Sequence, residues 1–557
     1  MKDAAGFDTD VLIVGAGPVG LTLAMNLAQR GLRAALIEMR SHGQPPEPKC
    51  NHVSARSMEI FRRLGVASAV RAAGLPDDYP HDVSYRTTTT GREITRIRIP
   101  GRADRFTERA GPDGWWPTPE PPHRVNQRYL EPILVAHAAA MAGVQMLNRT
   151  RVDGFVQDAD GVTVEAMQLD GEQPLTLRAR FLAGCDGGRS TVRKGIGARL
   201  VGDAVIQRVQ SSFIRAPDLI GRMQAPSAWG LFSFNPRRSG VLYAIDGREL
   251  WLVHNYLRDD EADFEAVDRD WALRTILGVG SDFEYELLSK EDWYGRRLVA
   301  DRFRERRAYL CGDAAHLWVP YAGYGMNAGI ADADNLAWHL AGVLKGWAGP
   351  AVLDAYVCER QPITEQVSRF AMDHAHAMAK RRRAVPEGLE ADDAEGERLR
   401  AEVGRDLYEL NVQQYCCAGL NFGYYYDTSP VIVYDGEQAP AYSMGSFASS
   451  TVPGCRAPHF RLRDGRSLYD AFGSDYTLLR TDSRIDVSDL LHAAAKRGVP
   501  MTLLDLQGEV LPPEYQHKLL LCRTDQHVAW RGNAVPAQVL SLIDQLRGAA
   551  MSQETSP

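Results

Sequence analysis

An α/β fold is predicted by three stretches of one design, each an apolar, strand-like run that ends in a glycine turn. The first is Val11-Leu-Ile-Val-Gly15-Ala-Gly17-Pro18-Val-Gly20, followed by a helical run and a second strand, Ala34-Ala-Leu-Ile-Glu38. The second is Ala179-Arg-Phe-Leu-Ala-Gly-Cys185-Asp186-Gly187-Gly188, and the third is Ala308-Tyr-Leu-Cys311-Gly312-Asp313. Short apolar runs rich in branched residues suit parallel strands buried on both faces.

The first stretch carries the most chemistry. Gly15 permits a tight turn, Gly17 lets backbone approach a pyrophosphate, and Gly20 lets the following helix pack closely on the sheet. Thr22 to Arg30 is helix-compatible, and Gly31 sits where a C-cap would. Glu38 lies where an acid is expected to bond a ribose hydroxyl, about 20 residues past the glycines. This is a Rossmann-like dinucleotide unit, and it does not by itself choose between NAD and FAD. The alternative is a strand-to-helix turn without a ligand.

The 557 residues are enough for two to four domains. A hydrophobic share of 45% and a charged share of 24% are ordinary for a globular protein. The net charge of −7 implies no general surface for polyanions, so no nucleic-acid partner is expected. No apolar run is long enough to span a membrane, and the first residues lack the apolar core of a secretion signal. A cytoplasmic protein is expected. None of the eight cysteines forms a CxxC pair, and adjacent Cys416 and Cys417 read as reduced thiols, with a redox switch as the alternative.

Along the chain, Ser41 to Lys49 reads as a loop and Ser54 to Gly65 as an amphipathic helix, with Met58, Phe61 and Leu64 at helical spacing. Residues 82–108 and 205–256 read as strands, and a long helix is expected over Asn327 to Leu344. The basic run Lys380 to Arg383 is followed at once by acids, so it reads as a solvated helix end and linker. Beyond about residue 405 a separate module begins, with strand-like Tyr476 to Arg480, Met501 to Asp505 and Lys518 to Arg523. No metal-binding constellation is present, and His316 reads as a loop anchor.

In combination, Gly15-Ala-Gly-Pro-Val-Gly20, Cys185-Asp-Gly-Gly-Arg-Ser190 and Gly312-Asp313-Ala-Ala-His316 resemble the class A FAD-dependent aromatic hydroxylases, a family of flavoprotein monooxygenases. The tail resembles the thioredoxin-like C-terminal domain of the phenol and chlorophenol hydroxylase branch. It does so through Pro453-Gly-Cys-Arg-Ala-Pro458-His459, Leu468-Tyr-Asp470 and Asp525-Gln-His527-Val-Ala-Trp530-Arg531-Gly532. The resemblance implies a Rossmann-like FAD-binding domain built from residues 1–80, 110–200 and 300–395. It further implies a β-sheet substrate-binding domain over 81–109 and 201–299 and a thioredoxin-like domain over 405–549.

The resemblance also implies FAD as cofactor, NADPH or NADH as co-substrate, O2, a small aromatic substrate and a homodimer. Gly15, Gly17, Pro18 and Gly20 are expected to receive the FAD pyrophosphate at a helix N-terminus, and Glu38 the adenosine ribose. Arg56 and Gln127 match positions near the phosphates and ribose, Asp186 a position that touches both FAD and NAD(P)H, and Asp313 the position that bonds the ribityl chain. Pro320 to Asn327 matches the family pattern P-x-x-G-x-G-x-N. There Gly325, Met326 and Asn327 open a helix whose dipole favours negative charge on the flavin N1/O2 edge. Tyr324 in that segment either shapes the pocket over the flavin or fills space. His52 is the candidate for assisting phenol deprotonation, because imidazole titrates near the working pH. His254 and Tyr256 share one strand face and either line the substrate pocket or pack on protein.

The implied reaction is ring hydroxylation. NAD(P)H reduces FAD, O2 gives a flavin C4a-hydroperoxide, and its distal oxygen passes to an electron-rich ring. Two alternatives stay open: Baeyer–Villiger insertion into a polycyclic ketone, and a flavin-binding redox protein that oxygenates nothing.

Overall fold

The computed structural model describes residues 5–549. The strand Thr9–Val14 lies inside the first sheet, hydrogen-bonded in parallel to Ala34–Ile37 on one side and Gln173–Gly184 on the other. Ala34–Ile37 pairs in turn with Val144–Leu147, and Gln173–Gly184 with Ala308–Leu310. The three apolar runs are therefore neighbours or near-neighbours in one parallel sheet, and their glycine turns emerge along a single edge. Val11, Leu12 and Ile13 are wholly buried, as strands covered on both faces must be. An antiparallel hairpin, Thr150–Gln157 with Val162–Gln168, extends Gln173–Gly184 away from that edge.

Two helices cross above this edge, Pro18–Gln29 and Tyr324–Leu344. Pro18 opens the first, where a missing N–H costs no helical bond. The crossing depends on the absence of side chains. A Cβ on Gly329 would come within 2.6 Å of Val19 Cγ2 and 2.9 Å of Gly312 Cα.

The second sheet has eight strands in the order His316–Trp318, Glu286–Ala300, Leu200–Arg215, Leu250–Tyr256, Gly240–Ala244, Gly230–Ser233, Val83–Arg86 and Glu93–Ile97. All its pairs are antiparallel except Gly230–Ser233 with Val83–Arg86. The edge strand His316–Trp318 follows the third glycine turn directly, so this segment, assigned from sequence to the dinucleotide domain, belongs by pairing to the second sheet. The acid-rich stretch read as a linker runs through a short turn, Glu387–Glu390, into the helix Ala394–Tyr415. Asp393 caps it by accepting the Gly396 N–H, and Glu395 and Glu397 sit in its first turn, where the helix dipole favours acids. It packs on Glu93–Ile97 so closely that a Cβ on Gly404 would lie 2.6 Å from the Ile94 carbonyl oxygen.

The third sheet runs Met501–Asp505, Tyr476–Arg480, Leu519–Arg523, Val528–Gly532, the first pair parallel and the others antiparallel. With helices Ser488–Lys496 and Val539–Leu546 it forms a thioredoxin-like βαβ–ββα unit. Its core is shared, because Trp338 and Val352 from the two preceding helices and Trp347 from the loop between them pack with Leu478, Leu521 and Ile543.

Candidate cofactor and substrate site

At the first turn the three glycines divide the work. Gly15 has φ +99°, and a Cβ there would meet the Cys185 carbonyl oxygen at 2.4 Å. A Cβ on Gly20 would meet the Gly15 carbonyl oxygen at 2.0 Å. Gly17 is different: the nearest atom to its would-be Cβ is Glu131 Oε1 at 3.8 Å, so the turn is open at this point. Gly17 is also the N-cap of helix Pro18–Gln29 and offers no side-chain acceptor to the first amides, which leaves them for an anion. Glu38 accepts the Ala16 N–H at 2.9 Å and the Arg40 N–H at 2.9 Å. Burial opposes its charge, but hydrogen bonds from Arg40 outweigh burial and hold its pKa below the usual value. Arg40 also reaches Glu131 at 2.8 Å, and Gln127 donates to the other Glu131 oxygen at 2.7 Å. Glu38, Arg40, Glu131 and Gln127 thus form one chain of bonds around the open glycine. Arg40 and Glu131 were missed from the sequence, although Arg40 stands only two residues past the acid.

The third turn is held from behind. Asp332, buried, accepts the Gly312 N–H at 3.1 Å, His316 Nε2 at 2.7 Å and Arg360 Nε at 2.8 Å. His316 is accordingly an anchor. Asp313 points the other way. Its carboxylate is accessible, has no hydrogen-bond partner among the described residues, and yet is enclosed by surrounding protein, which raises its pKa against the pull of His316 and Lys49. An accessible acid walled by protein, with no partner among the described residues, is one that a polar ligand satisfies.

Several predicted residues are placed elsewhere. The Asp186 carboxylate accepts Ser190 Oγ at 2.5 Å, the Thr191 N–H at 2.6 Å and the Val192 N–H at 3.2 Å. It serves the start of helix Thr191–Gly195, and the side left open belongs to the Gly187 backbone. Arg56 is buried and turned to the C-terminal domain, where it meets Gln526 and the Asp525 carbonyl, with Glu59 at 3.0 Å. It joins its own helix, through Glu59, to the C-terminal unit, through Gln526 and the Asp525 carbonyl. Asn327 clips two segments together: its Nδ2 donates to the His52 carbonyl at 3.1 Å and the Gly323 carbonyl at 2.6 Å, and its Oδ1 accepts the Ser54 N–H at 2.8 Å. It ties the Gly323 segment to the His52 loop, and both of its side-chain N–H donors are used in doing so. Tyr324 is buried beside Leu420, Tyr424 and Met444 and donates its hydroxyl to the Leu420 carbonyl. Pro320 is exposed, and Gly325 and Met326 are half-buried at the first turn of Tyr324–Leu344, whose N-cap Gly323 supplies no capping side chain.

His52 lies against this segment, since a Cβ on Gly323 would touch its Cβ at 3.0 Å. It is buried, and Arg124 donates to its Nδ1. Burial, with Arg124 and His123 nearby, drives its pKa well below the usual value. The ring proton therefore sits on Nε2, and the nitrogen that would act as base is already bonded. The expectation of a base at His52 is corrected on that ground. His254 is bonded to Ser211 Oγ at 2.7 Å and packed edge-on to Trp293, and burial lowers its pKa to about 4. Tyr256 carries the Arg382 guanidinium over its ring at 4.2 Å.

Comparison with known proteins fits this geometry. The family described as "FAD binding domain" matches residues 8–371, and the chain belongs to it. FAD is the cofactor of that family, and an open Gly17 with an unpartnered Asp313 is a cradle it fits. The chain is 31% identical to the FAD-dependent monooxygenase apdD of Emericella nidulans over 95% of this chain and 88% of that one. It is 30% identical to phenol 2-monooxygenase of Pseudomonas sp. (strain EST1001) over 98% and 93%. Among solved structures it is similar to the rebeccamycin biosynthetic enzyme RebC with reduced flavin. The TM-score is 0.87 and the identity 34%, over 98% of this chain and 99% of that one. Among the described residues no cluster of His, Cys, Asp or Glu is arranged to hold a metal, and no helix is long and apolar enough to cross a membrane.

Proposed function

We propose that this chain is an FAD-dependent monooxygenase that hydroxylates a phenolic or related aromatic compound with NAD(P)H and O2. The observation that carries the reading is Asp313, an enclosed acid with no hydrogen-bond partner among the described residues, at a turn on the same sheet edge as the open glycine turn. The relatives named as a phenol monooxygenase and an FAD-dependent monooxygenase support the same reaction class. Bound FAD supplies the redox chemistry that activates oxygen, and the chain does the rest. Gly15, Gly17 and Gly20, with the amides that open Pro18–Gln29, would receive the pyrophosphate. Glu38, oriented by Arg40, would take the ribose, with Gln127 braced beside it through Glu131. Asp313 would accept the ribityl hydroxyls. The uncapped N-terminus of Tyr324–Leu344 would favour negative charge at the ring edge. Asn327 fixes that N-terminus to the His52 loop. All eight cysteines are free, which supports a reducing, cytoplasmic setting. The homodimer that the resemblance implies is part of this proposal.

Two measurements test it. The purified protein should be yellow, and Asp313→Ala should lose most of its FAD; normal flavin content in that variant would argue against the cradle. A panel of phenols should stimulate NAD(P)H consumption and yield a product one oxygen heavier. An FAD-loaded protein that no aromatic compound stimulates would sink the oxygenase reading.

A further inference from the structure

Cys185 and Cys311 stand side by side at the sheet edge from which the glycine turns emerge. Leu310 pairs with Gly184 across two parallel strands, so the next residue on each is a cysteine. The Cys311 N–H donates to the Gly184 carbonyl at 2.9 Å and the Cys185 N–H to the Val14 carbonyl at 2.8 Å, which ties down both backbones. Paired residues on neighbouring strands project to one face with Cα atoms about 4.8 Å apart. That lies inside the range of about 4.4–6.8 Å that a disulfide spans. The thiols are also linked by hydrogen bonds. Tyr356 gives its hydroxyl proton to the Leu310 carbonyl at 2.5 Å, so the Cys311 thiol, 3.3 Å away, donates to the Tyr356 oxygen. Cys185 is hydrogen-bonded to Cys311 in turn. Both are free thiols.

The two differ in access. Cys311 is wholly buried and Cys185 half-buried, so Cys185 is the thiol that a small oxidant meets first. Each also adjoins a turn. The Cys185 carbonyl oxygen is the atom a Cβ on Gly15 would meet at 2.4 Å, and Cys311 is followed directly by Gly312 and Asp313. A bond between the sulfurs would draw the two Cβ atoms to about 3.8 Å while the amides stay tied to Val14 and Gly184. The first turn and the Asp313 turn would then shift against each other.

We propose that Cys185 and Cys311 form a peroxide-sensitive dithiol whose closure to a disulfide loosens the flavin. The Cys185 sulfur attacks one oxygen of hydrogen peroxide, the O–O bond breaks, and the leaving hydroxide takes the thiol proton as water. The Cys311 sulfur then attacks the resulting sulfenic acid, the S–O bond breaks, and a second water leaves. The sulfurs lose the two electrons that the peroxide gains. Contact with Cys311 and burial hold the Cys185 pKa well above the usual value, and the thiolate is the attacking form. The pair therefore stays open on brief exposure and closes under sustained oxidant.

The inference takes the flavin cradle from the proposed function, but its test needs no turnover. FAD-loaded protein is incubated with hydrogen peroxide, its remaining thiols are blocked, and a non-reduced digest is mapped by mass spectrometry. Flavin that passes a filter is measured alongside. A peptide joining Cys185 to Cys311, lighter by two hydrogens than its two thiol halves, should accumulate in step with released FAD. Dithiothreitol followed by FAD should reverse both. Cys311→Ser should form no such bond and keep its FAD under the same treatment. If that variant does not accumulate as holoprotein, Cys185→Ser takes its place, and the wild-type map needs no variant. A pair left as thiols while other cysteines oxidise, a closed bond with FAD fully retained, or equal FAD loss in the serine variant would overturn the inference. A protein that closes the bond and releases FAD, yet oxygenates no aromatic compound, would overturn the proposed function and leave this one standing.

Discussion

His52 illustrates how a single residue's neighbours settle its chemistry. Imidazole in a loop near the flavin edge suggests a base, but Arg124 on Nδ1 and burial make it a neutral, fixed donor. Its pKa lies below the unfolded value, so acid favours the unfolded chain, which takes up a proton that the native state refuses. The same sign applies to His123, lowered to about 3, and to His254, His339, His374 and His459, each lowered to about 4, in every case chiefly by burial. The thermal midpoint should therefore be level above about pH 7 and fall between about pH 6.5 and 4, with up to about 1.4 kcal/mol per pH unit for each such histidine. A midpoint that stays level down to about pH 4.5 would contradict neutral burial. In turnover, His52→Gln should keep the shape of the kcat/KM pH profile; loss of an inflection would restore the base. Such side-chain directions were not legible beforehand. The partners of Arg56 lie as far as 470 residues along the chain, and no local pattern encodes them. The turn made by Gly15, Gly17 and Gly20 was legible because it answers to backbone geometry close in sequence, whereas Asp313 was named only through the family resemblance.

At the scale of elements, the crossing of Pro18–Gln29 and Tyr324–Leu344 carries both glycine turns. Gly329→Ala would press a methyl group on Val19 Cγ2 and Gly312 Cα. Such overpacking costs about 1–3 kcal/mol, and the shift would separate Asp313 from the first turn. The variant should melt earlier and retain less FAD, and Val19→Ala should restore part of both; full flavin content in Gly329→Ala would show that the crossing does not set the cradle. The strands and helices of this region were readable because their periodicity is strong. The helix Ala394–Tyr415 was not, because its many charges mimic a linker and the signals that make it a helix are the Asp393 cap and a fit against Glu93–Ile97.

For the whole molecule, the C-terminal unit is joined to the rest by buried ions. Glu359 of the helix Ala351–Arg383 binds Arg523 at 2.5 and 2.9 Å, and Arg523 also binds Asp525 at 2.7 Å. Ser429 and Asn335 donate to Glu359 as well, each at 2.6 Å. Arg523→Met would leave two buried carboxylates without their cation, a loss of about 3–5 kcal/mol. Calorimetry should show the wild type melting in one transition and this variant melting earlier; an unchanged midpoint would mean the joint is not cooperative. The first sheet also has a history written in its strand order. Thr9–Val14 finds Ala34–Ile37 almost at once, but its other neighbour, Gln173–Gly184, comes far later, and Ala308–Leu310 later still. On a ribosome adding about 5–20 residues per second, the nascent chain spends roughly 15–60 seconds between its first strand and its last before this sheet is complete. The glycine turn is born early, yet Asp313, which the proposed cradle needs, emerges far later. On that proposal flavin capture is a late event in synthesis, and a chain stalled before residue 313 has the loop without the acid.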